Sequence, residues 1–353
     1  MQMSPIHIVG MGATTSIGRN VWASAAAARA GICGFSEHPF MIDTAGEPMC
    51  VALAPWLSVD VEGADRFCEL LFPAIDESIE ILLGESQKPS FRIGLCLALP
   101  PSRPGQPESV GKRVLKAAKT RYTKITSHPL SFPVGHAGGY LALNAAIKGI
   151  RQDSIDACIV AGVDSYMTPE TLEWIEQCDQ LHGAGSLNNA WGFIPGEAAG
   201  AILITTETNV KAFAIDAFGE ILSVGLGQET KLIKAEDVCI GHGLSSAFLA
   251  ALKALQTGQQ IHNIFCDLNG EAYRADEYGF TALRGKEWFL DASDFIAPAD
   301  CWGDIGAASA FLHIAQSIIC HRKRYGKGAL SMIWASSESG QRGAAVINTF
   351  DPK

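Results

Sequence analysis

A chain of 353 residues with 48% hydrophobic and 18% charged residues has room for one large α/β domain or two fused halves, and it is too apolar to be disordered. Its formal net charge of -10 excludes general nucleic-acid binding, which needs a basic surface to neutralise phosphate. The first residues lack a basic or apolar leader pattern, and no run reaches about 18 uncharged apolar residues, so neither secretion nor a membrane span is expected and the cytoplasm is the default location.

In chain order, Ile6–Val9 reads as a short apolar strand running into GMGATTSIG, followed by an alanine-rich helix, Val21–Ala30, closed by Gly31. A dinucleotide fingerprint requires glycine where Thr15 stands, so the Rossmann reading is weak. Residues 64–84 carry apolar side chains at helical spacing (Phe67, Leu70, Leu71, Ala74, Ile75) and end at Gly84, before a strand over Arg92–Leu99. Lys112–Lys124 gathers six of the 27 basic residues, with Lys112, Lys116 and Lys119 on one helical face. That face is either simply solvated or a docking patch for an acidic partner.

Pro133–Ser165 is the most informative stretch. Ala137–Ile150 is small or apolar almost throughout, so a helix here belongs in an interior. Gly138 and Gly139 open its first turn, and the apolar run Ala157–Ala161 reads as a buried strand. Trp191–Thr205 (WGFIPGEAAGAILIT) then gives a turn, an acid at Glu197 and another strand. Charges over 206–220 mark a junction, dividing the chain into halves 1–208 and 209–353. The second half repeats the order of the first: a helix over Gly243–Leu255, a strand over Ile264–Leu268, a small-residue start and apolar helix over Gly303–Ile319, and a strand over Ala329–Ala335. Two such halves predict a layered α/β fold with a site between them, where helix N-termini favour anions.

GMGATTSIG, HAGGYLALNAAIKGIRQDSIDACIVAGVDS, GFIPGEAAGA and GDIGAASA together resemble the β-ketoacyl-acyl-carrier-protein synthases of the thiolase superfamily. The resemblance implies a five-layered αβαβα fold of two pseudo-symmetric halves. It also implies a homodimer or a heterodimer with a synthase-like chain, acyl carrier protein or acyl-CoA as partner, and no cofactor or metal. The family's nucleophilic cysteine falls on His136, or on Ala137 if the alignment slips by one. Its first histidine falls on Asn269 and its second on Gly303 or Asp304. Glu197 matches the family's structural glutamate.

These changes imply a synthase-like protein of the acyltransferase class, defective in cysteine-dependent condensation and serving as an acyl-thioester or carrier-binding partner subunit. The alternative is an active acyltransferase using His136 and Asn269. An ionised Asp304 would oppose a developing oxyanion, and His136 at a helix N-terminus would tend to be neutral.

The polar groups around these positions are candidate binding residues. Asp267, Asn269 and Glu271 are expected on one face of a strand, with Arg274 following. Arg342, replacing part of a glycine-rich loop, is expected to make the pocket mouth more polar. The acids and Arg274 form either an ion-pair network pinning the loop or a binding site with His136, Asn269, Glu271 and Asp304. His242 reads as a loop or core residue. The ten cysteines stand singly, without a C-x-x-C pair, and read as reduced core residues.

Overall fold

All ten residues of β1 (Ile6–Thr15) are buried, so the strand runs well past Val9 and through the glycines. In this computed structural model, which describes residues 4–83, 91–123, 125, 128–233, 235 and 237–352, those glycines serve packing. After α1 (Val21–Arg29) and the hairpin of β2 (Ser36–Ile42) and β3 (Pro48–Val51) comes α2 (Gly63–Ser78). A Cβ on Gly10 would stand 1.8 Å from the Ser78 carbonyl oxygen, and one on Gly12 2.0 Å from that of Ala74. Helix α2 therefore lies directly on the strand backbone, an approach only glycine permits. Where the pattern predicts one helix over 64–84, α2 stops at Ser78 and a separate turn, α3 (Glu80–Leu83), follows. Gly84 lies outside the described residues.

The first half continues through β4 (Ile93–Leu99), α4 (Glu108–Arg121), β5 (Leu130–Pro133), α5 (Gly138–Arg151), β6 (Ala157–Ser165), α6 (Pro169–Gln177), β7 (Glu197–Thr206) and α7 (Glu207–Ala212). Strands β4 and β6 are parallel, β6 is antiparallel to β7, and β7 is antiparallel to β1. The rest comprises β8 (Gly219–Gln228), α8 (His242–Leu252), β9 (Asn263–Cys266), α9 (Ala272–Arg284), α10 (Ala299–Trp302), α11 (Ser309–Arg322), β10 (Leu330–Ser336) and β11 (Gln341–Thr349). Here β9 and β10 are parallel, β10 is antiparallel to β11, and β11 is antiparallel to β8. The pairing pattern of the first half thus recurs. Strands β1 and β8 join the halves over Ile6–Ile8 and Gly219–Ile221, giving the order β5-β4-β6-β7-β1-β8-β11-β10-β9. The 208/209 division falls inside α7.

Three apolar clusters set the layers. One joins α2 and α4 to the outer face of the first half, and another joins α8 to the outer face of the second. The third lies between the halves and contains most of α5 and α11. Twelve of the fourteen residues of α11 are buried, which is why its sequence is apolar nearly all round. The result is a five-layered αβαβα arrangement. The two central helices meet near their N-termini, where a Cβ on Gly139 would lie 2.4 Å from that of Ala310.

Glu197 explains the conspicuous acid before β7. Fully buried, it takes Arg66 at 2.6 and 2.7 Å and also accepts from the Ala54 N–H and the Ser165 hydroxyl. Gly10→Ala would press a methyl into the Ser78 carbonyl and is expected to destabilise the protein by about 1–3 kcal/mol, read as a lowered urea midpoint.

Candidate functional site

Both central helices are preceded by a 3₁₀ turn, Gly135–Ala137 before α5 and Gly306–Ala308 before α11. His136 stands on the first turn and Asp304 just before the second, so the approach of the two helix heads brings them together. His136 Nε2 lies 2.8 and 2.9 Å from the two Asp304 carboxylate oxygens, and both residues are buried. Asp304 also accepts from Asn269 Nδ2 at 2.7 Å, the Tyr166 hydroxyl at 3.2 Å and the Gly306 N–H at 2.9 Å. His136, Asn269 and Asp304 thus form one contiguous cluster. Gly303, at φ +72°, supplies the turn before Asp304; a Cβ there would lie 2.7 Å from the Ile194 carbonyl oxygen.

The charge state differs from the neutral histidine expected. Burial favours the uncharged ring, but the charge and hydrogen bond of Asp304 prevail and raise the His136 pKa above its ordinary 6.5. Burial likewise opposes ionisation of Asp304, yet His136, Arg274 and the Gly306 N–H hold its carboxyl well below the usual range. Both shifts favour the imidazolium–carboxylate form of the pair. With Nε2 engaged, His136 Nδ1 makes no hydrogen bond among the described residues. Neighbouring His313 is pushed down to about 3 by burial and by the His136 charge, and its Nδ1 is buried without a partner.

The acids around Asn269 are arranged differently from the pattern expected. Strand β9 ends at Cys266, so Asp267, Asn269 and Glu271 are not on a strand face. Gly270, at φ +107°, turns the chain, and Glu271 becomes the residue before α9. They converge nonetheless, because Arg274 binds Asp267 and Glu271 at 2.8 Å each and the Ser336 carbonyl at 2.7 Å. Glu271 accepts in addition from Asn269 at 3.1 Å and Gln180 at 2.9 Å.

Arg342 does not reach the pocket mouth. It is fully buried, bound to Glu277 at 2.6 Å, to the Ser337 carbonyl and to the Tyr273 hydroxyl. The ligand atoms of Glu229, Cys239 and Glu277 lie within 4.8 Å of one another. The Glu277 oxygens serve Arg342 and Ser336, and those of Glu229 accept backbone N–H groups of Thr230, Lys231 and Gly243. Arg342 stands on β11, and the turn before that strand contributes Glu338 and Ser339 to the pocket instead.

The larger pocket beside His136 holds about 460 Å³ of open space, and Arg103, Asp164, Tyr166 and Gln180 are among its polar lining. Arg103 donates to Asp164 at 2.6 Å and stacks over Tyr166 at 4.1 Å. A smaller cavity behind His136 is lined by Asp267, Asn269, Gly303, Asp304 and His313. None of the residues lining the larger pocket is cysteine; Cys266 lines the smaller one, and burial pushes its thiol well up. The helix heads are also less open than a glycine-rich start implies. The Ala137 N–H donates to the Ser337 hydroxyl at 2.8 Å, and the Ala307 N–H to Asp164 at 3.0 Å. Sequence reasoning passed over Arg103, Asp164 and Ser337. Asp164 had a signal, a lone acid within an otherwise buried strand; Arg103, in a surface-like proline-rich loop, had none.

Residues 135–209, the segment that carries His136, α5, β6 and Glu197, match the N-terminal domain of β-ketoacyl synthases. That segment of the chain is thus similar to β-ketoacyl synthases. Over 98 residues it is 33% identical to the polyketide synthase PksL of Bacillus subtilis, a stretch amounting to 27% of this chain and 2% of that protein. Among solved structures, a type II polyketide ketosynthase in complex with its acyl-carrier protein superposes with a TM-score of 0.83 at 13% identity, covering 99% of this chain and 100% of that one. The ishigamide ketosynthase/chain length factor gives 0.71 at 18% identity, covering 98% and 99%. The ketosynthase-like chain shares their fold.

On the outer face of the first half, α4 buries Val114 and Ala118 and exposes Lys112, Lys116 and Lys119. Lys112 pairs with Glu108 at 2.9 Å, an exposed contact worth little. Among the described residues no helix is long and apolar enough to cross a membrane.

A raised His136 pKa stabilises the fold fully below the unfolded value of about 6.5, and that stability is lost as pH rises through the folded value; the lowered Asp304 pKa loses its contribution only in acid. The stability advantage of the wild type over His136→Gln is therefore expected to be larger at about pH 5.5 than at about pH 9, measured by urea unfolding. Asp304→Asn should bring the His136 imidazole resonance shifts to the neutral form at pH 7. An unchanged titration would mean that the two side chains are not paired.

Proposed function

We propose that this ketosynthase-like chain binds acyl thioesters or acyl carrier protein as a partner subunit and does not perform cysteine-dependent condensation. The observation that carries the reading is the buried His136–Asp304 pair at the head of α5. A condensing enzyme of this superfamily needs a nucleophile there and donors for a thioester oxyanion. Here Asp304 engages His136 Nε2 and favours the imidazolium, which is a poor nucleophile and no base, and the Ala137 N–H is already engaged by Ser337. Asp304 brings negative charge to a place where a developing oxyanion would be repelled. The remaining polar residues favour the same reading: Glu271 and Arg274 answer one another as a pinned network, and Arg342 answers Glu277.

The pocket beside His136 retains room for part of an acyl chain or its thioester arm. The loop that leads into α4 also carries Pro101 and Arg103, which line that pocket. A carrier protein docked on Lys112, Lys116 and Lys119 would stand near its mouth. Pairing with a second copy or with a synthase-like chain fits a non-condensing role, since the chemistry would then reside in the companion.

Incubation with acyl-CoA or acylated carrier protein is expected to leave the intact mass unchanged. A stable acyl adduct that disappears in His136→Ala would replace this reading with an acyltransferase using His136 and Asn269. Reversal of Lys112, Lys116 and Lys119 to glutamate should weaken carrier-protein binding at least tenfold, with the loss reduced at high salt. Unchanged binding would assign α4 an ordinary solvated face.

A further inference from the structure

Five of the ten cysteines are buried, but Cys33 is exposed, and it lies against a second cysteine brought from the other end of the chain. The Gly34 N–H donates to the Cys301 carbonyl at 2.7 Å. Each thiol reaches across to the opposite segment: Cys33 Sγ contacts the Asp300 carbonyl at 3.4 Å, and Cys301 Sγ the Ala28 carbonyl at 3.7 Å. With two covalent spans of about 2.4 Å added to the backbone hydrogen bond, the Cα atoms of Cys33 and Cys301 stand no more than about 7.5 Å apart. Disulfides span about 4.4–6.8 Å between Cα atoms, so a rotation of each side chain and a small local shift join the sulfurs.

We propose that Cys33 and Cys301 are an oxidation site, forming a reversible disulfide that fastens the loop after α1 to the segment leading into Asp304. Cys33, open to solvent, reacts first. Hydrogen peroxide oxidises its thiol to a sulfenic acid with release of one water. The Cys301 sulfur then attacks the Cys33 sulfur, the S–O bond breaks, and the hydroxyl leaves with the Cys301 proton as a second water. Overall, two thiols and one peroxide give one disulfide and two waters.

Other thiols are less well placed. Cys96 and Cys158 approach to 3.9 Å but lie in the central core, out of reach of a polar oxidant. Cys50 lies near enough to Cys33 to feel its charge, but it sits on β3 and shares no backbone hydrogen bond with it. Position gives the Cys33–Cys301 bond its meaning. Cys301 belongs to α10, and the next residues, Trp302 and Gly303, line the cavity behind His136. The disulfide would hold the backbone from which Asp304 meets His136.

The test is exposure of the intact, reduced protein to a slight excess of hydrogen peroxide, quenching, and mass mapping of a non-reducing digest. The expected product has lost two hydrogens and yields a peptide pair linking Cys33 to Cys301, which dithiothreitol separates. Cys33→Ser and Cys301→Ser should abolish the pair, and Cys50→Ser should leave it intact. A Cys33–Cys50 link, or Cys33 advancing to sulfinic acid with no crosslink, would overturn the assignment.

Discussion

The ion pair between His136 and Asp304 is the contact on which the centre of the molecule depends. A buried carboxylate is costly unless its charge and its lone pairs are both answered. Asp304 is answered by an imidazolium from the first half, by Asn269 and by the Gly306 N–H from the second, and by Tyr166 from the first again. Its satisfaction therefore requires both halves to be folded and in register. Such pairs add little stability over an apolar replacement, but loss of one member strands the other, at about 3–5 kcal/mol. This one specifies an arrangement more than it strengthens it.

The same economy governs the surrounding polar groups. Arg274 neutralises Asp267 and Glu271, Arg103 faces Asp164, and Arg342 faces Glu277. Among the polar atoms near His136, Arg103 Nε, Asp267 Oδ1 and His313 Nδ1 are buried without partners. Around His136 the charged groups are thus paired with one another, while these single atoms are left without a protein partner.

How much of this was legible in the sequence depends on the kind of signal. The buried helix of 138–151, the strand after it and the repeat in the second half announce themselves by hydrophobicity over a dozen residues or more. The grouping of His136, Asn269 and Asp304 had a different source, the resemblance to the synthase family, whose catalytic positions fall on them. What failed was local. β1 runs through Gly10 and Gly12 because a helix from another part of the chain sits on them, and nothing near those glycines says so. The helix over 64–84 breaks at Ile79, a residue that fits the apolar face. Asp267, Asn269 and Glu271 alternate like strand residues, yet Gly270 turns the chain between them. The protonation of His136 was beyond sequence because it follows from distances to Asp304, and Arg342 was misplaced because its acceptor, Glu277, lies 65 residues away.

The continuous sheet has a mechanical consequence. Strands β1 and β8 stitch the halves by hydrogen bonds, and α5 and α11 interlock so closely at Gly139 and Ala310 that neither helix can slide on the other without a clash. A hinge between the halves is thereby removed, and with it the clamshell motion by which many two-part proteins admit and release their ligands. Any molecule entering the pocket beside His136 would have to pass its lining, Arg103 and Glu338 among it, with the layers beneath unmoved.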